Sequence, residues 1–157
     1  MKPIKFLSLL LLFASFTTFQ NTEFKIQDFE KLAKMNSNDF ETYILNKSFE
    51  FEKTQNYKSF DVVYYKKKNV TISKAVATDS SMMYSIFYET SSKIEYVNFK
   101  KQAEILGYKY EKSDKHSIDK DNTTYHIYKK GKVTLSFYTS NRKEYLGYNI
   151  GIAISEE

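Results

Sequence analysis

The chain of 157 residues has no cysteine, no tryptophan, a single proline and only four glycines. Without cysteine no disulfide framework staples the fold, which must hold on its hydrophobic core. A cysteine at a lipoprotein processing site is missing too, so lipid anchoring by that route is not expected. Histidine is scarce, with only His116 and His126. No G-x-S-x-G, H-E-x-x-H, Walker or dinucleotide-binding pattern occurs, so no catalytic residues, cofactor or metal ligands are assigned.

The N-terminus is the first positive feature. Lys2 and Lys5 precede an apolar run over residues 6–19, followed by Gln20 and Asn21. This is the layout of a secretory signal peptide, and the run is shorter than the roughly 20 residues a membrane-spanning helix needs. Residues 1–20 are read as the signal peptide and 21–157 as one domain, periplasmic or secreted, with no membrane span after cleavage. Formal charge is +5, but two of the basic residues belong to the leader. The rest is near balance, which argues against nucleic acid as a partner.

Periodicity divides the domain. Ile26, Phe29, Leu32 and Met35 recur at helical steps, with Ala33 beside them. A second helix is expected from Asn38, capped there with Glu41 three residues on; its apolar side is Phe40, Tyr43 and Ile44. A third follows the capping-box pair Ser92 and Glu95, presents Tyr96, Phe99, Ala103 and Leu106, and ends at Gly107. The remaining segments, at 48–54, 59–68, 69–77, 82–89, 107–113, 123–130, 132–140 and 145–155, read as strands.

The order of one helix and four strands thus occurs twice, and the sequence repeats with it. FEFEK (49–53) matches YKYEK (108–112) at an offset of 59, as Phe40 does Phe99. VTIS (70–73) matches VTLS (133–136) at 63, and YSI (84–86) matches YNI (148–150) at 64. Offsets that grow only at loops indicate a tandem duplication, with repeats at about 36–91 and 92–155 and an extra helix at 26–35. The expected fold is α+β: two helix-plus-four-strand repeats sharing one antiparallel sheet, with helices on one face. The expected core face carries Phe49, Phe51, Val62, Tyr64, Val70, Ile72, Tyr84 and Ile86. In the second repeat it carries Tyr108, Tyr110, Tyr125, Ile127, Val133, Leu135, Tyr148 and Ile150. At the turn before VTIS or VTLS, Asn69 and Gly131 are the residues suited to positive φ.

Function is sought on the other face. Alternation assigns Val63, Tyr65, Phe87, His126, Tyr128 and Tyr138 to it, beside Thr71, Ser73, Thr134 and Ser136. An open face with so much aromatic area fits a protein partner. Lys66, Lys67, Lys68, Lys129 and Lys130 gather at the hairpin ends, where they would favour an acidic partner or serve solubility. Asp114, His116, Asp119 and Asp121 form a polar loop. It is the one place for a metal-dependent hydrolase, although Lys115 and Lys120 oppose a cation.

This pattern, in a small exported chain, resembles the β-lactamase inhibitory protein fold. The resemblance covers roughly residues 26–155 and is one of element order. It implies an eight-stranded concave sheet that binds a partner protein. The disulfides of the founding inhibitor have no counterpart, so inhibition of a β-lactamase is not carried over. Composition and leader also resemble those of small exported proteins of AT-rich, Bacteroidetes-type bacteria. The expected function is a non-enzymatic, inhibitor-like binding module, or an immunity protein against an exported toxin.

Overall fold

The computed structural model describes residues 23–77, 83–115, 123–141 and 146–155. The leader, the segment from His116 through Asp121 and the side chain of Tyr84 lie outside the described residues. In chain order the elements are α1 (Ile26–Lys34), α2 (Ser37–Asn46), β1 (Glu50–Asn56), β2 (Phe60–Lys67), β3 (Val70–Ala77), β4 (Met83–Thr90), α3 (Lys93–Ile105), β5 (Lys109–Lys115), β6 (Thr124–Lys130), β7 (Val133–Asn141) and β8 (Leu146–Ser155). The strands form one antiparallel sheet ordered β1-β2-β3-β4-β8-β7-β6-β5, so each unit is a meander and the two join edge to edge through β4 and β8.

Backbone detail repeats along with sequence. Phe49 donates its amide to the Ile44 carbonyl as Tyr108 does to that of Ala103, closing α2 and α3 alike. The left-handed residues there are Ser48 and Gly107. β1 bulges between Phe51 and Lys53, and β5 between Tyr110 and Lys112. Lys67 lies over the Phe49 ring and Lys130 over Tyr108. Every one of these pairs keeps the sequence offset of 59 or 63, so the duplication is visible in the backbone.

The helices cover one face. Ser92 caps α3 by accepting the Glu95 amide, as its sequence implied. The cap of α2 is Asn36, which accepts from the Asp39 amide, so the helix begins earlier than the Asn38 expectation. The extra helix α1 packs over β4 and β8, on the seam between units. Phe24, just before it, and Phe29 within it are fully buried against Tyr88 and Phe99, with ring centroids 5.2–5.8 Å apart. Each such aromatic pair adds roughly 0.5–1.5 kcal/mol beyond its buried area.

Polar ties fix α1 to both units. Its first amide, of Ile26, donates to Gln102 of α3, and Glu30 accepts from the Tyr108 hydroxyl. At its other end the Lys74 ammonium donates to the carbonyls of Leu32 (2.9 Å) and Ala33 (2.8 Å). Helix C-termini leave such carbonyls without intrahelical partners and carry partial negative charge, which a cation complements. Lys74 is 5% exposed, and burial pulls its pKa down to about 8.

The register of β2 and β6 corrects the expected faces. Lys67 pairs with Val70 across a two-residue turn, so Tyr65 lies beside Ile72 and Val63 beside Lys74. Likewise Lys130 pairs with Val133, which sets Tyr128 beside Leu135 and His126 beside Phe137. Val63, Tyr65, His126 and Tyr128 therefore occupy the helix face, and Val62, Tyr64, Tyr125 and Ile127 the open one. The expected assignment was inverted in both strands because VVYY (62–65) and YHIY (125–128) are apolar on either alternation, so period alone cannot choose. Phe49, Val70, Ile72, Ile86, Tyr108, Val133, Leu135, Tyr148 and Ile150 do belong to the core or pack on it. Phe51 and Tyr110, just before the two bulges, are exposed.

The turn residue in the left-handed region is Lys68 (φ 54°), the counterpart of Gly131 (φ 57°), and not Asn69. A left-handed residue with a Cβ costs roughly 1–2 kcal/mol, partly offset by the entropy glycine itself loses. Lys68→Gly is therefore expected to raise stability by about 0.5 kcal/mol, and Gly131→Lys to lower it, read from denaturant midpoints.

Lys74 gives a second test. Its folded pKa is depressed below the unfolded value, so between about pH 8 and 10 the unfolded chain binds more protons, and stability rises with pH. The slope it contributes is at most about 1.4 kcal/mol per pH unit. Unfolding free energies of wild type and Lys74→Met, measured from pH 7 to 10, should diverge in slope by that sign. Parallel curves would refute it.

Candidate functional site: the open face of the sheet

The open face is built from residues that the register places opposite the core. Across its middle run Tyr64, Ser73, Phe87, Gly151, Ser136 and Ile127, each paired with the next. Small residues alternate with large ones along that row, and Thr71, Ala75, Ser85 and Ala153 lie beside it. Aromatic residues stand at the sides. Tyr57 stacks on Phe60 at 4.7 Å near the β1–β2 edge, and Lys53 reaches over the Tyr64 ring. On the other side Tyr125 and Tyr138 lie 4.3 Å apart. Together they bound a trough of about 660 Å³ that extends from Glu52 and Lys53 across Phe87 to Tyr138 and Asn149.

Phe87 and Gly151 have a special position. They are equivalent residues of the two repeats, at the offset of 64, and they pair directly with each other. The pseudo-twofold axis relating the units therefore passes through this pair. The two copies differ here as far as side chains can: one is phenylalanine, 39% exposed, and the other has no side chain. A Cβ on Gly151 would stand 2.5 Å from the Ser136 hydroxyl and 3.4 Å from the Phe87 ring. Glycine thus lets the ring lie close across the centre of the trough.

Of the six residues expected on this face, Phe87 and Tyr138 are on it. Tyr65 is buried under α2 against Phe40, with ring centroids 5.8 Å apart, and its hydroxyl bonds Glu41. That burial and the nearby carboxylate push its pKa up to about 12. Tyr128 stacks edge-on to Phe137 and Tyr110, and Val63 packs against the core. His126 is half-buried on the helix face, its Nδ1 3.0 Å from the Ser113 hydroxyl, which in turn meets the Tyr110 hydroxyl at 2.7 Å. Burial, and then the Lys100 charge, hold its pKa below the usual histidine range. Tyr57, Phe60, Tyr64 and Tyr125 are the open-face aromatics that period reasoning missed. The signal for Tyr64 and Tyr125 was present: a two-residue turn with Val70 and Val133 facing inward forces them outward.

The hairpin lysines are partly engaged within the chain. Lys67 pairs with Glu23 at 2.7 Å and Lys129 with Glu111 at 2.8 Å. Among the described residues no three His, Asp or Glu side chains gather as a metal site, and no helix is long and apolar enough to cross a membrane. No protein-family model, curated protein or solved structure matches the chain. What the structure shows is the architecture: two helix-plus-four-strand units in one antiparallel sheet, helices on one face; nothing ties it to the β-lactamase inhibitory protein family.

The close fit at Gly151 can be tested by substitution. Gly151→Ala forces Ser136 to move and is expected to cost about 1 kcal/mol, in the range for small overpacking. Adding Ser136→Ala should recover most of it. The coupling is read as a double-mutant cycle in urea; additive effects would refute it.

Proposed function

We propose that the chain is an exported, non-enzymatic binding module that holds a protein partner in the trough of its open sheet face. The carrying observation is the trough with aromatic residues on both sides, Tyr57, Phe60 and Tyr64 on one and Tyr125 and Tyr138 on the other, and Phe87 39% exposed between them. Sheets with one free face ordinarily cover it with polar side chains. Tyrosine and phenylalanine instead offer large contact area at low entropic cost, and binding energy concentrates on a few such residues. Export is supported by the basic and apolar leader. An inhibitor or an immunity protein against an exported toxin is the narrower form of this reading.

The test uses site-specific photocrosslinking in the native cell envelope. A photoreactive residue at position 138 or 64 is expected to yield one common adduct. The same probe at position 105, on the exposed outer side of α3, should yield none. Tyr138→Ala and Phe87→Ala should each weaken capture of that partner at least tenfold, with unfolding midpoints near wild type. Equal crosslinking from all three positions, or unchanged capture by both variants, would overturn the proposal.

A further inference from the structure

On the opposite face of the sheet, Lys74 sits in a setting that its role as a helix tie does not exhaust. An ammonium carries three N–H donors, a neutral amine two. Two directions from Nζ are taken by the carbonyls of Leu32 and Ala33. Nζ also lies over the face of the Phe40 ring, 5.4 Å from its centroid. The neutral amine therefore keeps both hydrogen bonds and leaves no donor stranded. Its lone pair then lies on the side away from α1.

A cavity of about 270 Å³ adjoins that amine, between α2 and the β1–β2 edge. Its lining includes Phe40, Phe51, Val63 and Tyr65, with the Glu41 carboxylate engaged by the Tyr65 hydroxyl. The space exceeds the roughly 150 Å³ that holds a benzene ring and is near the low end of small-ligand sites. Phe51 stands exposed at the rim, so the cavity has an entrance. In a chain without cysteine, a neutral lysine is the strongest nucleophile available.

We propose that Lys74 is a carbonyl-capture site, whose amine condenses with a small apolar aldehyde seated in this cavity. The nitrogen lone pair forms the C–N bond. Both amine protons leave with the carbonyl oxygen as water, and an imine remains, with no change of oxidation state. A neutral imine has no N–H and its protonated form has one, so capture frees at least one of the two α1 carbonyls. Ligand binding is thereby coupled to the end of the helix that covers the seam. The lowered pKa agrees with this assignment.

The experiment treats the folded chain with benzaldehyde and cyanoborohydride near pH 7.5, then maps benzylated lysines by mass spectrometry. Lys74 is expected to react at least ten times faster than the exposed Lys53 and Lys112. Phe51→Trp, which narrows the entrance, should bring its rate down to theirs without altering theirs. Hydrogen exchange at the end of α1 should quicken when benzaldehyde is added without reductant, while the imine stands. A rate at Lys74 no faster than at Lys53 and Lys112 in the native chain would overturn the proposal. So would a Lys74 rate insensitive to Phe51→Trp.

Discussion

Two buried hydrogen bonds from Lys74 tie the end of α1 to the first unit. A sheet made of two similar halves has an apolar middle at β4 and β8, which α3 covers in part. α1 completes that cover. Its apolar residues provide the adhesion, but adhesion has no direction, and a nine-residue helix has little stability of its own. The polar ties supply direction: Gln102 at its first turn, Glu30 to Tyr108 on the second unit, and Lys74 of the first unit at its last turn. Removing the ammonium would leave the Leu32 carbonyl with the Met35 amide alone and take from the Ala33 carbonyl its side-chain donor, and a buried group left unsatisfied costs about 1–3 kcal/mol.

The same residue shows how the two repeats have parted. At the offset of 63 the counterpart of Lys74 is Phe137, fully buried. In the second unit there is no α1 end to satisfy, so an aromatic ring fills the space, and Lys100 of α3 reaches over it from outside. Features that serve the unit itself are kept in both copies: the helix-to-strand closure, the edge bulge, the left-handed hairpin residue. Differences collect where the units meet α1 or each other.

Much of this architecture was legible in the chain, and the boundary of legibility has a physical cause. Helices with one apolar stripe, such as Phe40, Tyr43 and Ile44 or Tyr96, Phe99 and Ala103, are unambiguous because only one face is apolar. The repeat was readable for the same reason, since anchors such as VTIS and VTLS keep their order. In β2 and β6 both alternations are apolar, so the pattern holds no information about which side faces the helices. The missing information was in the turn. Pairing Lys67 with Val70 leaves no freedom, and a two-residue hairpin with an inward Val70 was enough to put Tyr65 inside and Tyr64 outside. The placement of α1 over the seam was not legible, because amphipathicity tells that a helix is covered on one side and not by what.

The symmetry of the fold bears on what the open face can recognise. With identical repeats, the face would be its own image under the pseudo-twofold axis, and a partner could dock in two orientations of equal energy. Pairs that break that equivalence include Phe87 with Gly151, Tyr64 with Ile127, Val62 with Tyr125, and Ala75 with Tyr138. The first stands on the axis itself, and there the bulk is concentrated in one ring that the opposite glycine accommodates. The others put the tilted ring pair Tyr125 and Tyr138 on the second unit alone. Discrimination is a difference between affinities, so aromatic clusters of different make-up on the two sides, Tyr57, Phe60 and Tyr64 against Tyr125 and Tyr138, separate two otherwise equal docking modes by the contacts each can make. On the proposed reading, duplication supplied a broad sheet with a protected core, and divergence at its open centre supplied a direction of approach.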